Sequence, residues 1–289
     1  MSFFSALQGV LIIMLMVSLG YLLTHKGWLT EDSNQLLPRL VNYVSLPAYM
    51  TWNLMTTFNR EQLLAILPGA LVPIIAMLVS YVVSYIVSTL LKIPHGRRGT
   101  FRAMFFCSSA IFVGLPVNLA LFGEDSIPAV LLYFLANALM FWTLGAYSIS
   151  ADGKLSGVPI FSLSTVKNVF SPPFTAFTVA TILILLQVPL PKVLAQTFKH
   201  LGSMTTPLSM LFIGMVIYGT ELRNIKFSWD MAALLIGRFI VSPLAIILVA
   251  EFLPIPELTR NVFVIQAAMP AMTQTTILAR IYEADPEYA

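Results

Sequence analysis

Charge is what this sequence has least of. Of its 289 residues, 16 are Lys or Arg and 13 are Asp or Glu, or 10% charged in all, whereas a soluble domain usually carries about 25%. No Asp, Glu, Lys or Arg occurs in residues 1–24, 62–91, 126–151 and 168–191. Each of these stretches exceeds the roughly 20 residues that a membrane-spanning helix needs. The composition therefore excludes an ordinary soluble domain and indicates an integral membrane protein. Strands of a membrane β-barrel alternate in polarity over about 10 residues, and runs such as residues 63–87 do not, so the spans are helices.

Cysteine and histidine are also scarce. The single cysteine, Cys107, excludes an intrachain disulfide and is expected to pack as a small apolar residue. The three histidines are far apart, and no metal-ligand spacing, G-x-S-x-G elbow, H-E-x-x-H motif or phosphate-binding loop occurs. We therefore expect a protein that is not an enzyme and holds neither a metal nor a cofactor.

The excess of positive charge has an ordinary explanation. A net charge of +3 and a pI near 9.0 would suit a nucleic-acid partner, but basic loops on the cytoplasmic side of a membrane protein explain them better. With the N-terminus outside, eleven Lys and Arg residues fall on the inner side and four on the outer side, leaving out Arg238, which lies inside a span. We expect a multi-pass protein of a bacterial cytoplasmic (inner) membrane with its N-terminus outside, and no nucleic-acid partner.

Hydrophobic runs predict nine spans. They cover residues 3–23, 36–55, 63–91, 102–122, 127–149, 169–188, 193–218, 231–253 and 261–281.

Two of these spans contain helix-breaking residues near their middle. Span 4 carries Gly114-Leu115-Pro116, and span 9 carries Ala268-Met269-Pro270. Proline lacks an amide donor and clashes with the preceding turn, and glycine adopts backbone angles that other residues avoid. A broken span leaves peptide groups unpaired at membrane depth, which is tolerated where the break lines a cavity or is buried in protein. Interrupted spans of this kind indicate the binding site of a secondary transporter.

The order of prolines indicates an internal repeat. The second span of each half has a mid-helix proline, Pro47 or Pro207, at which we also predict a helix break, and the fourth is broken as described. We predict repeats at residues 1–149 and 169–289, joined by a cytoplasmic linker at residues 150–168. Five spans per repeat make the halves inverted with respect to the membrane. A complete second repeat needs a tenth helix after residue 281, and we expect that helix to be missing from this sequence.

These segments resemble the auxin efflux carrier superfamily. The motifs are LVNYVSLPAYM, IFVGLPVNLALFGED and NVFVIQAAMPAMTQTTILARIYEAD, and the most similar branch is that of bacterial malate or malonate permeases. The resemblance implies an all-α polytopic protein of inverted five-helix (5+5) repeats, with helices 4 and 9 broken and crossing at mid-membrane. It also implies organic-anion transport by alternating access, with a transport domain moving against a scaffold domain, and a possible homodimer through the scaffold helices. Plant members carry an asparagine seven residues before the span-4 proline, where this chain has Ser109, so plant-type contacts are not transferred.

The breaks provide a candidate anion site. If the second half-helices start at about Val117 and Ala271, each start exposes unpaired amides and a partial charge of roughly +0.5, and two such ends facing one cavity bind an anion. Polar side chains near the breaks and the prolines supply further candidate substrate contacts, although the same groups also bond between helices in many membrane proteins. These candidates are Asn42, Ser45, Ser109, Asn118, Gln266, Thr273 and Gln274, with Ser108 and Thr275 beside them.

Arg238 is the deepest formal charge. It is a candidate ligand for a carboxylate substrate, but snorkelling to the inner surface or binding a lipid headgroup is the favoured interpretation. Asp and Glu lie outside the middle of the spans, so proton and sodium coupling are both left open. The alternatives on the same fold are an anion channel or uniporter and a sodium-coupled carrier of another organic acid. A sensor or scaffold is disfavoured, because neither a soluble output domain nor an extended basic tail is present.

Overall fold

The computed structural model describes residues 3–153, 171–220 and 228–289, and every regular element in that part of the chain is helical. Each of the nine predicted spans coincides with a helix or, for spans 4 and 9, with a pair of helices; residues 169 and 170 of span 6 lie outside the described residues, as do residues 154–168 of the predicted linker. The helices are α1 (Phe3–His25), α2 (residues 31–57), α3 (Arg60–Leu90), α4 (Arg98–Phe106), α5 (Ala110–Phe122), α6 (Glu124–Asp152), α7 (Pro172–Leu185), α8 (Lys192–Gly219), α9 (Trp229–Phe252), α10 (Glu257–Ala267) and α11 (Thr273–Ile281).

Five of these helices are long and apolar enough to cross a membrane: Gln8–His25 within α1, together with α3, α6, α8 and α9. The shorter helices α5 and α7 are also apolar. Large apolar side chains on α1 lie exposed, with Leu15 at 70%. Exposed apolar surface of this extent suits contact with lipid rather than with water.

Three prolines inside the helices follow wide turns instead of breaking the helix. A π-helical turn ends two residues before Pro47, Pro116 and Pro243 alike. Because each backbone bond in such a turn closes over one extra residue, the widened backbone gives room for a ring that would clash in a regular α-helix. Helix α2 therefore continues through Pro47, and α8 continues through Pro207 after a turn at Met204. The predicted break at Pro47 is wrong, whereas span 7 is interrupted at Met204, three residues before Pro207.

The chain divides into two compact units that interleave along the sequence. Unit 1 comprises Met1–Pro68, Leu115–Leu131 and Phe170–Ile225, and unit 2 comprises Gly69–Gly114, Leu132–Val169 and Lys226–Ala289. Unit 1 thus holds spans 1, 2, 6 and 7, whereas unit 2 holds spans 3, 8 and 9 and most of span 5. Span 4 passes from unit 2 to unit 1 between Gly114 and Leu115.

In unit 1, α1 packs along α8 through two glycines. A Cβ atom added at Gly20 would lie 2.4 Å from the carbonyl oxygen of Leu211, and one at Gly214 would lie 2.1 Å from that of Val17. The two backbones therefore touch, because small residues at a helix interface in a membrane protein allow this approach. Helix α2 packs against both α7 and α8 in the same unit.

In unit 2, the loop between α3 and α4 is tied to the residues after α11. The Nε atom of Arg97 lies 2.5 Å from a carboxylate oxygen of Asp285, and the other oxygen accepts from the amide of Tyr288 at 2.9 Å. Burial acts to raise the pKa of Asp285, but the hydrogen bonds from Tyr288 and Arg97 outweigh it, so the pKa lies below its ordinary value. Beneath this loop, Ile93, Phe101 and Phe105 form a buried apolar cluster.

Candidate functional site

Span 4 is broken at residues 107–109, seven residues before the predicted position. Helix α4 ends at Phe106, and α5 begins at Ala110 with a π-helical turn that runs to Gly114. Residues 113–118 are helical throughout, so the predicted break at Gly114 and Pro116 and the predicted half-helix start at Val117 are wrong. The π turn accommodates Pro116, and the backbone opens instead at Cys107-Ser108-Ser109.

Span 9 is non-helical at residues 268–272. Helix α10 ends at Ala267, and α11 begins at Thr273, two residues after the predicted start at Ala271. Ala268 and Pro270 both lie in this break. The two breaking prolines of the sequence thus have different positions, because Pro116 lies inside a helix and Pro270 lies inside a break.

The two breaks lie against each other within unit 2. Ser108 and Ala271 form an isolated antiparallel β-bridge, and the amide of Ser109 donates to the carbonyl of Pro270 at 2.7 Å. Backbone groups released by each broken helix are thus paired with the other break. We call residues 107–109 and 268–272 together the crossover.

Asn137, on α6, holds the span-4 side of the crossover. Its Oδ1 atom accepts from the amide of Ser108 at 3.0 Å, and its Nδ2 atom donates to the carbonyl of Ser108 at 2.9 Å. Nδ2 also lies 3.2 Å from the sulfur of Met272 in the other break. The side chain is fully buried. The sequence analysis missed this residue, although an amide inside the apolar run VLLYFLANALMFWTLG is the signal that could have identified it.

Gln266, on the last turn of α10, connects to the start of α5. Its Nε2 atom donates to the carbonyl of Ala110 at 3.2 Å, and a Cβ atom added at Gly114 would lie 2.1 Å from its Oε1 atom. Gly114 therefore makes room for a buried amide rather than breaking a helix. Among the described residues, Oε1 has no hydrogen-bond partner.

Arg238 lies inside unit 2, with 2% of its surface exposed. Its guanidinium donates to the carbonyl of Phe105, at 3.3 Å, and to the carbonyl of Ala267. These carbonyls belong to the last turns of α4 and α10, immediately before the two breaks. The favoured interpretation of Arg238 as a snorkelling or lipid-binding residue is therefore wrong.

The start of α11 is accessible beside the crossover. Thr273 is exposed and Gln274 half-buried, and within the described residues no side chain caps this helix start. Ser109 and Thr275 are buried beside them, as is Ser108, whose hydroxyl lies 3.4 Å from that of Tyr133. Uncapped amides at a helix start suit an anionic group. The structure thus brings Ser109, Gln266, Thr273 and Gln274 into one unit, around one pair of breaks.

The remaining sequence candidates belong to unit 1. Asn42 is half-buried in the π-helical turn of α2, and the hydroxyl of Ser45 lies 3.5 Å from the carbonyl of Val41 in the same turn. Asn118, on α5, is fully buried. Their role as substrate contacts stays a prediction.

Comparison with known proteins gives relatives and a family model that match most of the chain. An uncharacterized transporter of Methanocaldococcus jannaschii is 26% identical over 281 residues, covering 96% of this chain and 89% of the relative. An uncharacterized transporter of Methanothermobacter thermautotrophicus is 27% identical over 289 residues, with the same shares covered. The family model described as "Membrane transport protein" matches residues 5–289, which confirms the expectation of a transporter rather than an enzyme. Because that match spans nearly the whole chain, the protein belongs to this family of membrane transport proteins, the auxin efflux carrier family that its motifs resemble.

Proposed function

We propose that the protein is a secondary carrier of small organic anions, of the malate or malonate class, that works by alternating access with the substrate at the crossover. The observation that carries the proposal is the antiparallel meeting of two broken spans at Ser108 and Ala271. Discontinuous helices whose second halves begin near one point are how secondary carriers hold an anion without a formal positive charge. The first turn of α11, with Thr273 and Gln274, is the surface that we assign to the substrate carboxylate.

The division into two units supports the carrier mechanism. Spans 1 and 2 share a unit with spans 6 and 7, and spans 3 and most of 5 share one with spans 8 and 9, which is the grouping expected if the chain consists of two equivalent five-helix halves. Alternating access requires one body that moves and one that stays. We propose the inverted repeat and a cytoplasmic-membrane location with the N-terminus outside on these grounds and on the distribution of Lys and Arg.

Counterflow of labelled malate in liposomes tests the function. Liposomes containing the purified protein and preloaded with unlabelled malate should accumulate labelled malate transiently, because a carrier exchanges substrate faster than it returns empty. Malonate outside should compete with it. Absence of counterflow for both anions would contradict the proposal, and unitary current steps in a planar bilayer would favour a channel.

A pair of variants on α11 tests the site. Thr273→Val removes an exposed hydroxyl at the start of α11, and Thr276→Val removes a half-buried hydroxyl about one turn further along the same helix. We expect Thr273→Val to raise the KM for malate several-fold and Thr276→Val to leave it within twofold. Equal effects of the two variants would contradict the assignment of the carboxylate to the first turn.

A further inference from the structure

Two helix ends of the same polarity converge on one buried guanidinium. Helices α4 and α10 both end at the crossover, and the carbonyls of Phe105 and Ala267 both accept from Arg238. The C-terminal end of a helix carries about −0.5 of an elementary charge, so the two ends together carry about −1. The single positive charge of Arg238 therefore balances them.

No acidic side chain shares this task within the described part of the chain. The side chain of Tyr133 is a further hydrogen-bond partner of Arg238 and is neutral, and the hydroxyl of Ser242 donates to the same Phe105 carbonyl at 3.0 Å. A buried cation costs several kcal/mol unless it is paired. The two helix ends are thus its counter-charge.

The same oxygens would suit a small cation. In carriers with broken helices, the C-terminal ends of the half-helices and unwound carbonyls coordinate the coupling sodium ion. The oxygen atoms around Arg238 are of the kind that coordinates sodium: they are the carbonyls of Phe105 and Ala267 and the hydroxyl of Ser242. The guanidinium already fills the position.

We propose that Arg238 is a resident counter-cation, which occupies the place of a coupling sodium ion between the ends of α4 and α10. Arg238 is then a positioning residue that holds both breaks in register and keeps the crossover free of net negative charge. The consequence for transport, that an anion binds without sodium, rests on the proposed function. The cation site itself does not.

Thermal unfolding of the purified protein tests the proposal without any transport assay. The melting temperature is measured in sodium chloride, in choline chloride, and in choline chloride with a low, non-denaturing concentration of guanidinium chloride. Wild-type protein should melt at the same temperature in all three. Arg238→Gln, which removes the charge and shortens the side chain so that a small cation has room, should melt several degrees lower in choline chloride and recover in part with sodium or guanidinium.

Arg98→Gln is the matched control. Arg98 also donates to a backbone carbonyl, that of Ile93 at 3.0 and 3.1 Å, but it lies at the start of α4 and serves no helix end at the crossover. Its melting temperature should not respond to sodium or guanidinium beyond the wild-type response. Arg238→Lys, which keeps the charge, should be insensitive to sodium.

Two results would overturn the proposal: a wild-type melting temperature that rises with sodium, or an Arg238→Gln protein that neither cation stabilises. A further result has the same meaning. If folded Arg238→Gln protein cannot be purified with either sodium or guanidinium present, while Arg238→Lys is stable, then no small cation replaces the guanidinium and the proposal fails. If the cation response is found but malate counterflow is absent, the proposed function fails and this inference stands.

Discussion

At the scale of single residues, the position of a helix break is decided by what its backbone meets. Pro116 has the strongest helix-breaking chemistry in span 4, yet it lies inside α5 behind a π-helical turn. Cys107-Ser108-Ser109 contains neither proline nor glycine, yet it is extended, because Asn137 takes both backbone groups of Ser108 and Pro270 takes the amide of Ser109. Tertiary hydrogen bonds thus outweigh local preference at this point.

Replacing Asn137 should therefore destabilise the crossover. In Asn137→Leu the buried amide of Ser108 loses its acceptor, and an unsatisfied buried group costs about 1–3 kcal/mol. We expect a melting temperature several degrees lower and loss of malate counterflow.

Asn53→Leu provides the control for that experiment. Asn53 is buried on α2 in unit 1, and its side-chain oxygen has no hydrogen-bond partner among the described residues. Removing an unpaired amide oxygen should leave stability unchanged or raise it. A similar loss of stability in both variants would contradict the role assigned to Asn137.

At the scale of elements, the contact between α1 and α8 depends on backbone approach. Gly214 and Gly219 lie on the same helix, but a Cβ atom at Gly214 would meet the Val17 carbonyl, whereas one at Gly219 would meet nothing within 4 Å. The two glycines therefore have different roles, which a substitution reveals.

Gly214→Ala should lower stability and Gly219→Ala should not. The first forces two packed backbones apart, and overpacking typically costs about 1–3 kcal/mol. The second adds a better helix former at an open position, which is neutral or favourable by up to about 1 kcal/mol. Melting temperatures of the two variants in detergent decide the matter; equal values would contradict the close packing of α1 on α8.

The contact between the α3–α4 loop and the residues after α11 should depend on pH in a defined direction. The pKa of Asp285 is lowered in the folded protein from its ordinary value of 3.8, so the contact stabilises the fold above that value and the contribution is lost as the pH falls through the lowered pKa. The pair is partly exposed and screened by solvent, which limits it to at most about 1 kcal/mol. The melting temperature of the wild type should therefore be slightly higher than that of Asp285→Asn. The difference between the two melting temperatures should be the same at pH 7 and at pH 5. A margin that shrinks between these two pH values would contradict the assignment.

At the scale of the whole molecule, the proposed arrangement in the membrane rests on where Lys and Arg fall. Eleven basic residues lie on one side and four on the other when the spans alternate, and a bias of this kind places the richer side in the cytoplasm. The native cysteine, Cys107, is fully buried, so wild-type protein supplies an unreactive background for labelling.

Single cysteines at exposed loop positions test this orientation. Lys26 follows α1 on the predicted inner side, and Lys192 begins α8 on the predicted outer side; both are exposed. A membrane-impermeant maleimide added to intact cells should label Lys192→Cys, and should label Lys26→Cys only after the cells are opened. The reverse pattern would place the N-terminus inside.

The sequence by itself determined the class of the protein and the positions of its spans. Charge-free runs of sufficient length can lie only in a membrane, because each unpaired peptide group in lipid costs several kcal/mol and helices satisfy all of them within one segment. The break in span 9 also followed from local chemistry, because the ring of Pro270 lacks an amide donor and clashes with the preceding turn. These conclusions depend only on the composition, the length of the charge-free runs and the positions of proline in the sequence.

Tertiary structure alone decided where span 4 opens, what Asn137 does and why Arg238 is buried. Each depends on groups that are distant in the chain: Asn137 is 29 residues from Ser108, and Arg238 is 133 residues from Phe105. Local preference does not contain such pairings, because a hydrogen bond or a helix-end charge acts through space on whatever the fold places beside it. For this reason Pro116 lies inside a helix, and the counter-charge of Arg238 is provided by the ends of two helices.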